Sequence, residues 1–103
     1  MKVEKEIPAK NATAAFNALK TSLTSAGWAQ KTDGKESCEF EKGIGDTKTP
    51  ELHKVTWIVR ARKTKTGILA EIDVPLFEDW HYSRKRVEKQ WNPVQREITE
   101  AGR

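Results

Sequence analysis

Two neighbouring segments of this chain alternate apolar and polar residues with opposite parity. In Lys54-Val55-Thr56-Trp57-Ile58-Val59-Arg60-Ala61-Arg62 the odd positions Val55, Trp57, Val59 and Ala61 are apolar, and in residues 68–74 the even positions Ile68, Ala70, Ile72 and Val74 are. A period of two marks a strand with one buried face, and the short separation makes the two segments an antiparallel hairpin. Partners on an antiparallel ladder share a face, so their residue numbers must sum to an odd value. A sum of 131 sets Arg60 opposite Glu71 and Ile58 opposite Asp73, with the turn at Thr64-Lys65-Thr66-Gly67; a sum of 129 sets Arg60 opposite Leu69. The first register is favoured, because opposite charges across a solvated face contribute ~0.2–1 kcal/mol and Gly67 then stands at the end of the turn.

The remaining elements arrange themselves around this hairpin. Residues 2–7 alternate, with Val3 and Ile7 on one side, and Pro8 ends that strand. From Asn11, the residues Ala12, Ala15, Phe16, Leu19, Leu23 and Ala26 recur at helical spacing until Gly27 supplies a left-handed stop, and the alanines keep this stripe thin enough to lie close on a sheet. A short strand is expected at Trp28-Ala29-Gln30-Lys31. Asp33-Gly34 then marks a turn into a strand over 36–42, with Cys38 and Phe40 facing inward. Residues 43–52 have no periodicity and read as a mobile loop. After Pro75, the residues Trp80, Val87, Trp91, Val94, Ile98 and Ala101 form the apolar stripe of a long helix, with Asp79 as its expected N-cap. Asn92-Pro93-Val94-Gln95 predicts a kink or restart near Asn92.

The chain therefore reads as a single α+β domain over residues 1–103. Its order is β-α-β-β-β-β-α, an antiparallel sheet of four to five strands with two helices packed on one face. In architecture it resembles the small folds in which a sheet grips a long C-terminal helix, such as TATA-binding-protein-like and shortened helix-grip domains. That resemblance implies a fold and no particular activity.

Composition narrows the class of function. The chain is 36% hydrophobic, too rich and too well patterned for a disordered segment, and no apolar run reaches the ~20 residues of a membrane span. The charged start Met1-Lys2-Val3-Glu4-Lys5-Glu6 is no export signal, and a lone Cys38 excludes an internal disulfide, so a cytoplasmic location and no membrane partner are expected. No cofactor, metal or catalytic site is expected. Cys38 lies on the apolar side of its strand, where it acts as a small hydrophobe. His53 and His81 each lack a second ligand at a metal-binding spacing. Residues 43–49 lack both the spacing of a phosphate loop and the helix that should follow one. The pairs Glu71/Asp73 and Glu39/Glu41 face strands carrying Lys54, Arg60 and Arg62, which suits ion pairing better than acid–base catalysis. A non-enzymatic role is the expectation.

Three binding modes are then open. The leading one is protein–protein interaction or self-association through the sheet's open face, where Ile58 and Leu69 stand among charges. A second is nucleic-acid binding by two basic clusters: Arg60, Arg62, Lys63 and Lys65 at the hairpin tip, and Arg84, Lys85 and Arg86 on the last helix. The net charge is only +4, with 8 Lys+Arg against 7 Asp+Glu in residues 1–50 and 11 against 8 in residues 51–103. The third is a small apolar ligand in a cleft lined by Trp57, Phe77, Trp80 and Tyr82. Of the four tryptophans, Trp57, Trp80 and Trp91 fall in register with the predicted buried faces.

Overall fold

The computed structural model of the chain describes residues 2–45, 54–74 and 80–103, the side chains of residues 80–83 excepted. Its elements are β1 (Lys2–Pro8), α1 (Ala12–Ser25), β2 (Ala29–Asp33), β3 (Ser37–Gly45), β4 (Lys54–Lys63), β5 (Gly67–Asp73) and α2 (Trp80–Ala101). The five strands form one antiparallel sheet in the order β1-β5-β4-β3-β2. The predicted element order is the observed one. So is the favoured register, in which Arg60 pairs with Glu71 and Ile58 with Asp73.

The chain's first strand pairs with its fifth, so α1 must carry the backbone from one edge of the sheet to the other. Both helices lie on the face that buries Phe40, Trp57, Val59, Ala70 and Ile72, and α1 contributes Ala15, Phe16, Leu19 and Leu23 to the same core. From α2 come Val87, Trp91, Val94 and Ile98. At ~1.5–3 kcal/mol for each large apolar side chain removed from water, this one-sided core is the main favourable contribution to folding.

Helix α1 starts where its sequence says it should. The side chain of Asn11 accepts a hydrogen bond from the Ala14 N–H at 3.0 Å, and the turn closes through Gly27 at φ +91°. At the far end, the Lys42 ammonium donates to the Ala26 carbonyl at 2.6 Å, placing a cation on the negative pole of the helix. Lys20 ties the same helix to the β2–β3 turn, donating to the Asp33 carboxylate at 2.8 Å and to the Gly34 carbonyl at 3.2 Å. That hydrogen bond, with the charge behind it, holds the Asp33 carboxyl below its ordinary range.

Three local expectations are corrected. Strand β3 runs on to Gly45, pairing Gly43 with Thr56, Ile44 with Val55 and Gly45 with Lys54, where the composition suggested a loop from residue 43. Ile44 keeps the inward parity of Cys38 and Phe40 and is buried, and its packing together with the continued ladder outweighs the strand cost of the glycines. Residues 46–53 of that expected loop lie outside the described residues. Trp28 precedes the second strand and is buried as part of the core, whereas β2 itself is exposed throughout. Of the kink or restart expected near Asn92, the restart does not occur: α2 continues through Pro93, with Val87, Trp91, Val94 and Ile98 on both sides of the proline held in the core. Trp91 adds a bond from its indole N–H to Gln95 Oε1 at 2.8 Å.

The corner between β1 and α1 is where three elements meet. Pro8 pairs with Gly67, the Ala9 N–H donates to the Thr66 carbonyl, and the Asn11 N–H donates to the carbonyl of Gly102, just past α2. A Cβ at residue 67 would stand 2.0 Å from the Ile7 carbonyl oxygen, and one at residue 102 would stand 2.6 Å from the Ala9 Cβ. Gly67→Ala meets backbone that cannot give way and should cost at least about 2–3 kcal/mol in urea unfolding. Gly102→Ala meets the Ala9 methyl and, at 3.2 Å, the Ala15 methyl, and should cost about 1–2 kcal/mol. Equal stability of the Gly67 variant and the wild type would contradict the observed close approach.

Candidate functional site

A five-stranded sheet covered on one side leaves its other side to solvent, and its polar residues stand there in rows set by the register. One row crosses Lys2, Asp73, Ile58 and Glu41; the next crosses Glu4, Glu71, Arg60 and Glu39; a third crosses Glu6, Leu69, Arg62 and Ser37. Arg60 sits at the centre, its Nε 3.2 Å from Glu39 and its Nη1 3.5 Å from Asp73. Desolvation lowers the pKa of its guanidinium, but Glu39 and Asp73 raise it further, and the net shift is upward. Lys2 pairs with Glu71 at 3.5 Å and Lys31 with Glu41 at 3.4 Å. Each such exposed pair contributes only ~0–1 kcal/mol, and together they tie down the charged side chains of the upper two rows except Glu4.

The third row differs. Among the described residues, Glu6 and Arg62 make no ion pair, and Leu69 between them is half-buried. A shallow groove of about 440 Å³ runs over this part of the sheet, with Leu69, Arg60, Arg62, Glu4, Glu39 and Glu71 in its walls. Ile58, in the first row, is also half-buried. Both apolar residues expected on the open face are therefore there. Glu6 was missed because its place beside Leu69 follows from the pairing of β1 with β5, a long-range contact with no local signal.

The two expected basic clusters stand apart. The turn between β4 and β5 lies beside Lys10 and Arg103 at the C-terminal end of α2, whereas Arg86 donates to the Gly45 carbonyl near that helix's start. About 16 residues of helix separate the two, roughly 25 Å. The first cluster is also divided within itself by strand alternation. Arg60 and Arg62 stand on the open face, Lys63 turns to the helical side and donates to the Thr13 hydroxyl at 3.3 Å, and Lys65 is exposed in the turn. In the second, Arg84 and Lys85 are exposed, while Arg86 lies over Trp57 with its guanidinium carbon 5.6 Å from the ring centroid.

Of the four residues assigned to an apolar cleft, Trp57 is fully buried beneath Arg86, and Phe77 and the side chains of Trp80 and Tyr82 lie outside the described residues. His53 and the side chain of His81 lie outside them as well. The indole N–H groups of Trp57 and Trp28 are buried and have no hydrogen-bond acceptor among the described residues. Among the described residues, no group of three His, Cys, Asp or Glu side chains could hold a metal ion, and no helix is long and apolar enough to cross a membrane.

Cys38 is buried, and desolvation pushes its thiol up to about 11, with a smaller downward pull from Lys20 and a smaller upward push from Asp33. At pH 8 that leaves about a hundredfold less thiolate than a free cysteine would carry. Reaction of the folded protein with Ellman's reagent should therefore be slow, accelerate as the pH rises toward 11, and become immediate in denaturant. Rapid stoichiometric reaction of the folded protein at pH 8 would contradict this.

No family model matches the chain, and no curated protein matches it. Its fold is similar to that in the crystal structure of the vertebrate conserved region of human METTL16. The TM-score is 0.54 and the identity 13%, over 91% of this chain and 80% of that one. At that identity the likeness concerns the fold alone.

Proposed function

We propose that the domain works by binding, and that its open sheet face joins it to a second copy of itself. The observation that carries this reading is the row Glu6, Leu69, Arg62, in which an acid, an apolar residue and a base lie side by side on three adjacent strands. Strands in a sheet are ~4.8 Å apart, so the row presents negative, apolar and positive positions at regular intervals. A twofold axis running parallel to the strands through Leu69 reverses the row. It places Leu69 on Leu69, and Glu6 of each copy over Arg62 of the other, which is the self-complementarity an isologous interface requires. The same axis sets Glu71 and Asp73 each against its own copy, a like-charge approach softened because Glu71 is already paired with Lys2 and Asp73 with Arg60 within one chain.

Sedimentation equilibrium over a wide concentration range tests the reading. The wild type should pass from monomer to dimer as concentration rises. Leu69→Glu should hold it monomeric with the melting temperature little changed, since that side chain is half-buried on the solvent side. Arg62→Glu should also abolish the dimer, and adding Glu6→Arg should restore it by exchanging the two charges. A monomer at every accessible concentration, or a dimer indifferent to all of these substitutions, overturns the proposal.

A further inference from the structure

Beyond Arg86, the residues Lys85, Lys89, Asn92, Arg96, Thr99 and Arg103 follow one another at steps of 4, 3, 4, 3 and 4, which is one line along a helix. Val87, Trp91, Val94 and Ile98 are the buried side of α2, and at ~100° per residue this line lies opposite them, on the side facing solvent. All of its members are exposed except Thr99, which is half-buried. The line itself holds no carboxylate, though two flank it: Glu88 stands one turn from Lys85, and Glu100 shares a surface depression with Asn92, Arg96, Thr99 and Arg103. Arg103 lies just past the helix, where the Gly102 N–H still donates to the Ile98 carbonyl.

We infer that this ridge is a binding site for the phosphate backbone of duplex nucleic acid. On the sheet face, Lys2, Lys31 and Arg60 pair with carboxylates and Arg62 does not, whereas all four cations of the ridge, Lys85, Lys89, Arg96 and Arg103, make no ion pair among the described residues. Lys85 and Lys89 are like charges at i and i+4, an arrangement that costs a few tenths of a kcal/mol where alternating signs would have been stabilising. A face kept only for solubility gains nothing from that. The ridge from Lys85 to Arg103 is about 27 Å long, the length of about eight base pairs, and its side chains are neutral donors or cations. Among its described side chains it has no aromatic platform on which splayed bases could stack, which suits a rigid backbone better than an unpaired strand. At one end it begins beside Arg84, and at the other Arg103 shares an apolar shelf with Lys10 and Thr66 at the β4–β5 turn. The ridge thus runs from beside Arg84 to the turn that carries Lys65, and does not reach Arg60 and Arg62 on the other face of the sheet.

Fluorescence anisotropy with a labelled 20-base-pair duplex at 50–200 mM salt tests the inference. Four phosphate contacts give a slope of log affinity on log salt near −3.6, about a hundredfold loss over that range. Lys89→Gln with Arg96→Gln should reduce the slope by about 2, leaving a loss of about tenfold. Lys31→Gln, on the sheet face, should leave the slope unchanged. Leu69→Glu should bind like the wild type, which separates this site from the self-association proposed above. No binding at 50 mM salt, a slope that the double variant leaves unchanged, tighter binding of a single strand of equal charge, or binding to anionic vesicles without binding to duplex each overturns the inference.

Discussion

Phe40, Trp57, Val59, Ala70 and Ile72 all project from one side of the sheet, and α1 and α2 are folded down onto that side to cover them. This one-sided burial is the constraint from which the rest of the structure follows. A sheet with a second apolar face would have needed a second layer, and the chain has no third long amphipathic segment with which to build one. The alternate positions on every strand are thereby committed to solvent, and the charges among them must be arranged to coexist at strand spacing. Arg60 between Glu39 and Asp73 is the direct result: a cation on the central strand serving carboxylates on both neighbouring strands.

The same constraint orients α2. Its apolar stripe is spent on the core, and among the described residues its opposite side contributes nothing to that core. The two solvent-facing surfaces differ in how charge is disposed. The sheet face mixes Glu4, Glu6, Glu39, Glu41, Glu71 and Asp73 with Lys2, Lys31, Lys54, Arg60 and Arg62 and is close to neutral. The helix side carries its cations in a line without carboxylates between them. A net charge of +4 therefore says little by itself about where an anion would approach.

Much of the fold was legible because local patterns and long-range pairing agree. Opposite parities in 54–62 and 68–74 leave two registers, and the Arg60–Glu71 pairing separates them. Asn11 and Gly27 bracket α1 through cap chemistry that acts over three or four residues. The misreadings share a cause. Gly43 and Gly45 look like loop residues, but Ile44 and the β4 partners keep them in the ladder; Pro93 looks like a helix end, but four buried side chains of α2 span it. In each case tertiary packing overrode a local preference. The candidate sites were less legible than the fold, because they depend on adjacency across the sheet. Glu6 lies 63 residues from Leu69 in sequence and directly beside it in space. Lys89, Arg96 and Arg103 did carry a signal, the continuation of helical spacing past Arg86, but it gains meaning only once the opposite side of the helix is known to be buried.

The corner at Pro8, Ala9 and Asn11 bears on how far the two surfaces are independent. Thr66 in the β4–β5 turn and Gly102 at the end of α2 both accept hydrogen bonds there, from Ala9 and Asn11. The row through Leu69 lies one strand pair from that turn, and the ridge ends one residue beyond Gly102, so both surfaces are anchored to the same short backbone segment. Yet they point to opposite sides of the layered structure, and no described side chain belongs to both. Occupation of one surface therefore leaves the other accessible. Any energetic coupling between them would have to pass through this corner, where Gly67 approaches the Ile7 carbonyl too closely for any side chain to fit and the backbone has little room to move.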